Sequence, residues 1–379
     1  MCRLITSCTR HARSLWLAFC VAVAAFLLPA LGGGRALAET PRPRTLLGAG
    51  DDAWRMGDLA EATRRWGQAI RVCRLEGDAR TEMDALARRG EALSAMGRLH
   101  EAETDLQAGL AKARQLKQPA MQAAFEGALG NLAFQSKDIR QASEWLRQSI
   151  DAAGQAGAVD VLAASTNNQG NVLAANGALA AATETYRKAA EYATAATDLP
   201  LQGTIGVNLA RVSLRWADQT RAEGKSAEAA AHLKDADTRL AEAARITRAL
   251  PGSADQVVGL VAITRVALSM HRSAKRGSKA VDLAFVEPVS RQAVATAKAL
   301  GDLREQSLAD GTLAEVLEAL GKREEAATLD RNAIWAAQRI DAKDLLWRWE
   351  WLNGKLAAAA DDRPRAIGAY RRAKATLEE

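Results

Sequence analysis

A six-residue block recurs every forty positions through the first half of this chain, and a fixed repeat of that length leaves few folds open. Gly57-Asp58-Leu59-Ala60-Glu61-Ala62 is followed by Trp66 and Ala69. Gly97 to Ala102 is followed by Leu106 and Gly109, and Lys137 to Ala142 by Leu146 and Ser149. Gly177 to Ala182 leads to Tyr186 and Ala189. The interval then stretches to 47, with Ala229, Leu233 and Ala236, and to 57, with Val286 and Ala293. It returns to 40 for Ala326 with Ala333 and for Ala366 with Tyr370 and Ala373. Ser290 and Asp330 stand where a large apolar residue is expected, so units six and seven depart from the pattern.

Each unit has room for two apolar-periodic stretches of helical length. The glycine between them suits a left-handed C-cap that stops the first helix. The anchoring alanine, one turn into the second helix, permits a close crossing where a larger side chain would hold the axes apart. The large residue four positions later fills the space beyond. Gly77-Asp78 and Gly301-Asp302 read as the end of one unit and the cap of the next. No stretch alternates like a strand. Apolar residues are 48% of the 379 but aromatics only 4%, so alanine carries the core, as closely packed helices require.

The recurring Gly-x-Leu-x-Glu-Ala block, with its later large and small residues, resembles the tetratricopeptide repeat (TPR) in its longer form. HEAT and armadillo repeats have similar lengths but lack this pattern. The resemblance covers residues 44–379 and implies an all-α, right-handed superhelical solenoid of about eight helix hairpins. Leu346-Trp347-Arg348-Trp349-Glu350-Trp351, with Ala366 to Ala373, is similar to the TPR segment ahead of the caspase-like domain of bacterial CHAT proteins. That resemblance implies a sensor or regulatory array whose catalytic partner domain is not in this chain.

The N-terminus reads as a secretory signal peptide. Arg3, Arg10 and Arg13 precede an apolar run from Leu15 to Leu31, and Ala36-Leu37-Ala38 is an A-x-A cleavage site. Removing residues 1–38 takes away four arginines and no acid, leaving 47 basic against 45 acidic residues. The basic balance of the whole chain is therefore largely the signal's, and nucleic-acid binding loses its electrostatic support. Cys2, Cys8 and Cys20 leave too, so Cys73 is the one thiol of the mature chain and no internal disulfide is expected. The expected address is the periplasm, with membrane contact only through the uncleaved signal.

Catalytic constellations are wanting. Cys73 and His100 are the conceivable nucleophile and base, but they fall in different units, and Cys73 falls on an inward position. His232 and His271 are isolated, and no spacing resembles a metal site. Gly224-Lys225-Ser226 lacks the upstream glycine and strand of a phosphate loop, since position 219 is Gln219. Lys275-Arg276-Gly277-Ser278-Lys279 reads as a solvated basic loop. The chain is expected to be no enzyme and to need no cofactor or metal.

In solenoids of this type the first helix of each pair lines a concave groove, as the resemblance implies. Asn131 and Asn171 occupy equivalent places there, Asn167 and Asn168 precede the latter by one turn, and Asn208 continues the series. An amide both donates and accepts, so such a column can read an extended peptide backbone. Arg88 and Gln135 are the other groove candidates. No basic pair in the second and third units matches the carboxylate clamp of cytosolic TPR proteins. Trp347 and Trp351 share a helical face and Trp349 points away, so the three cannot all enter one core and are candidates for contact with a partner or domain. The expected partner is a protein or peptide segment.

Overall fold

The computed structural model describes residues 42–55, 57–274 and 283–378. Residues 1–38 and the Lys275–Lys279 loop lie outside the described residues. Sixteen helices and no strand are present among those described. They form eight consecutive hairpins. The first four are α1 (Pro43–Arg55) with α2 (Leu59–Glu76), α3 (Ala79–Ala95) with α4 (Leu99–Gln115), α5 (Pro119–Gln135) with α6 (Ile139–Ala156), and α7 (Val159–Ala175) with α8 (Leu179–Ala195). The fifth and sixth are α9 (Leu199–Ala222) with α10 (Ser226–Arg248) and α11 (Ala254–Ala274) with α12 (Leu283–Leu300). The last two are α13 (Leu303–Ala319) with α14 (Arg323–Arg339) and α15 (Lys343–Ala359) with α16 (Arg363–Glu378). Each second helix also packs on the first helix of the next pair, so the array is one continuous stack.

The turns follow from local chemistry. Gly77 sits at φ 74°, which a residue without Cβ adopts at no steric cost, and its N–H returns to the Cys73 carbonyl. The next residue, Asp78, caps α3 by accepting from the Thr81 N–H at 3.1 Å. Asp58, Asp138, Asp198 and Asp302 cap α2, α6, α9 and α13 in the same way.

All eight anchors, Ala62, Ala102, Ala142, Ala182, Ala229, Val286, Ala326 and Ala366, are buried. The large residue four positions on seats against a glycine of the first helix. Trp66 lies on Gly50, Leu106 on Gly90, Leu146 on Gly130, Tyr186 on Gly170 and Tyr370 on Gly354. A methyl at Gly170 would come within 2.6 Å of the Tyr186 ring, so this close packing depends on hydrogen at that position.

Units six and seven fold as hairpins despite their polar plugs. Ser290 is buried, donates to the Val286 carbonyl and shares a 2.9 Å hydrogen bond with Thr264. Asp330 is fully buried and accepts from the Asn353 amide at 2.8 Å. A hydrogen-bonded pair thus replaces the apolar plug. The longer interval after the fourth unit lengthens α9 and α10 to 24 and 23 residues, where the earlier helices from α2 on have 17 or 18. Added turns extend an existing hairpin without disturbing the stack.

Candidate functional site

The two faces of the stack differ. Every odd-numbered helix touches the next odd-numbered one, from α1 through α15. Among even-numbered helices only α10 and α12 make more than incidental contact. Helices that converge lie on the inside of a curve, so the odd-numbered helices line the concave face and the even-numbered ones splay outward.

A ladder of polar bonds joins neighbouring odd helices along this face. Arg88 pairs with Asp51 between α3 and α1. Ser94 donates to Gln135 at 2.9 Å between α3 and α5. Asn208 donates to Asn167 at 3.0 Å, and Arg215 donates to the Ala174 carbonyl, both between α9 and α7. Arg348 grips Glu315 through two nitrogens at 2.6 and 3.2 Å between α15 and α13. The partners stand between 33 and 41 residues apart, near the repeat interval itself.

This ladder reassigns several residues expected to read a peptide. Asn167 and Asn208 are buried and bond to each other, so they serve as internal struts and not as ligand contacts. Arg88 is paired with Asp51, and its own side chain is only 13% exposed. Asn168 accepts from both Asn167 and Asn171 at 3.3 Å, and Asn171 also accepts from the buried Tyr186 hydroxyl at 2.7 Å. The amides therefore form one network running from α8 through α7 to α9. Asn131, Asn168 and Asn171 remain half-buried, and Gln135 is exposed, so these four keep access to the groove.

The tryptophans divide as the helical period implies. Trp349 is 0% exposed, donates to the Ser307 hydroxyl at 3.0 Å and lies against Gly311. It is a core residue and not, as the sequence suggested, a contact for a partner. Trp351 is 53% exposed, with its ring 4.8 Å from that of Tyr370, and Trp347 is half-buried.

The chemistry of the thiol is also clear. Cys73 is 0% exposed in α2, while His100 lies on α4. Burial pushes the thiol up to about 11, and the nearby Asp78, Glu82 and Glu76 push the same way. Such a thiol stays protonated and is a poor nucleophile. No cluster of three or more His, Cys, Asp or Glu that could hold a metal occurs among the described residues. No helix among them is long and apolar enough to cross a membrane.

Sequence reasoning missed two groove residues. Arg211 stands forty positions after Asn171, because the added residues of the fifth unit follow this point and do not precede it. The series Asn131, Asn171, Arg211 is therefore the true column, and the 47-residue interval had hidden it. Arg265 on α11 is half-buried, and its Nε is enclosed with no hydrogen-bond partner. Its pKa is pushed down to about 10 by burial first, then by the Arg348 guanidinium, with Glu315 opposing and Arg211 adding.

No protein-family model matches the chain, and no curated protein does. Solved structures do. The apo form of the quorum sensor NprR from B. thuringiensis aligns with a TM-score of 0.53 at 9% identity, over 88% of this chain and 87% of that one. A signal-transduction ATPase with numerous domains and a tetratricopeptide repeat sensor, from Pyrococcus horikoshii, aligns with a TM-score of 0.52 at 11% identity. That match covers 88% of this chain and 47% of the other. At such identities the likeness speaks to architecture, which is that of a TPR-like helical repeat solenoid.

Proposed function

We propose that this chain is an exported interaction scaffold that holds a protein or peptide segment along the concave face of its solenoid, and that it is not itself an enzyme. The observation that carries the proposal is the continuous inner face of odd-numbered helices. It presents Asn131, Gln135, Asn168, Asn171 and Arg211, polar side chains at successive hairpins, with solvent access. A curved, extended surface of that kind suits a polypeptide segment better than a compact metabolite. The architectural neighbours are a quorum sensor and a repeat sensor by name, which agrees with a recognition role. Export rests on the signal-like residues 1–38, with cleavage after Ala38 and a periplasmic destination. A single buried thiol suits that oxidising compartment.

The test places a photo-crosslinking amino acid at Gln135 or Asn171 on the inner face and at Arg147 on the outer α6, in the native host. Polypeptide adducts from the inner positions and none from the outer one are expected. Equal labelling at all three positions, or none at any, would overturn the proposal. A second reading, a regulatory array of a CHAT-type protein, draws on Trp351, Ile367 and Leu377, which are exposed on the last hairpin. A crosslinker at Ile367 separates the two, because adducts there and none in the groove favour the second.

A further inference from the structure

Charge is distributed unevenly along the concave face. In the column of equivalent positions, α1 offers Asp51, α3 Glu91, α5 and α7 the amides Asn131 and Asn171, and α9 Arg211. From α9 onward both signs occur, with Glu305, Asp310, Glu315 and Glu318 on α13 and the arginines of the face concentrated on α9 and α11. Arg211 and Arg215 come from α9, Arg265 and Arg272 from α11, and Arg348 from α15. Among the described residues Glu315 on α13 is the acid that meets this group. It is already held by two nitrogens of Arg348 and lies 3.9 Å from Arg272.

Two of these arginines lack a direct salt bridge. Neither Arg211 nor Arg265 makes an ion pair among the described residues. Arg211 reaches solvent, yet enough protein surrounds it that desolvation lowers its pKa. Arg265 is crowded by protein and feels the Arg348 and Arg211 guanidiniums, which Glu315 offsets only in part, and its enclosed Nε has no hydrogen-bond partner. Placing unpaired guanidinium groups side by side in a partly desolvated groove costs stability. A surface arginine with no other task would turn outward into water. Costs of this kind are retained where a ligand of opposite charge relieves them.

We propose that the groove of the fourth to sixth hairpins binds an acidic polypeptide segment, with carboxylates seated on Arg211 and Arg265 and the adjacent backbone on the amides of Asn168 and Asn171. The inference rests on the groove function proposed above and names the partner's chemistry. Guanidinium and carboxylate match in a planar, two-bond geometry that ammonium cannot supply. The amides on α7 adjoin α9 and supply donors and acceptors for an extended backbone. Packed helices lie about 8–10 Å apart, and a polyproline-like segment rises about 3.1 Å per residue. Carboxylates three residues apart would therefore meet Arg211 on α9 and Arg265 on α11.

The experiment is fluorescence anisotropy with the purified mature chain. The probes are a labelled peptide carrying glutamate at every third position between prolines, its glutamine counterpart, and a single-stranded oligonucleotide. The variants are Arg211→Gln, Arg265→Gln and, as a control of equal charge change on the outer face, Arg147→Gln. The glutamate peptide should bind, the glutamine peptide should not, and each groove substitution should weaken binding about tenfold or more. Arg147→Gln should leave affinity unchanged. Thermal unfolding supplies a second readout that does not need a ligand. Arg265→Gln should raise the melting temperature of the free chain, and the glutamate peptide should stabilise the parent chain but not this variant. Absent binding of the glutamate peptide, or equal binding by the double variant, would overturn the inference. Tighter binding of the oligonucleotide, lost in the same variants, would also overturn it in favour of a nucleic acid. If the glutamine peptide binds as well as the glutamate one and crosslinks to Asn171, the acidic partner falls while the groove function stands.

Discussion

At the scale of single residues, buried polar groups decide what is structure and what is site. Asp330 illustrates the first. It sits where the repeat calls for an apolar plug, and one carboxylate oxygen has no partner. Burial raises its pKa to about 7, with Glu350 adding, and the Asn353 hydrogen bond offsets only part of this. The folded pKa lies above that of the unfolded chain, near 4 for an aspartate. The folded state therefore holds a proton that the unfolded state has lost between about pH 4 and pH 7, and stability falls as pH rises through that window. Asp330→Asn removes the titration. It should change stability little near pH 4 and raise it by on the order of 4 kcal/mol above pH 7. Denaturant melts of both proteins at the two pH values check this, and a pH-independent difference would contradict it. The sequence marked Asp330 as anomalous but could not show that Asn353 answers it. The same limit explains the asparagines. Their spacing was visible, but Asn208 meets Asn167 only because α9 lies beside α7. By contrast, the separation of Trp349 from Trp347 and Trp351 follows from helical period alone.

At the scale of elements, the turns were the most legible part of the chain, because cap chemistry is local. Glycine holds the left-handed position after the first helix at Gly57, Gly97, Gly177, Gly224 and Gly321. Lys137 and Asp361 take that conformation at φ 64° and 58° without glycine's freedom. A side chain there costs about 1 kcal/mol relative to glycine. Lys137→Gly should therefore stabilise the third hairpin by about 0.5–1 kcal/mol, read as a higher denaturation midpoint at unchanged slope. A lower midpoint would contradict the cap assignment. Sequence could not show where the two longer intervals are absorbed. One lengthens α9 and α10, which kept Arg211 in the column and moved the register only after it.

At the scale of the molecule, forty-residue periodicity becomes lateral adjacency. Residues one unit apart in sequence are neighbours on the concave face, so the repeat builds columns, and one such column runs from Asp51 and Glu91 through Asn131 and Asn171 to Arg211. The architecture was legible from the repeat. The face it presents was not, because curvature arises from how odd-numbered helices converge, which no single unit encodes. The claim that most needs testing is that this inner face is where a polypeptide sits. Hydroxyl-radical footprinting of side chains, on the chain alone and saturated with the segment recovered by crosslinking, tests it most directly. Loss of reactivity is expected on inner-facing side chains of α5 through α15, odd-numbered helices only, with α6, α8, α10 and α14 unchanged. Protection on the even-numbered helices, with the odd-numbered ones still reactive, would contradict it.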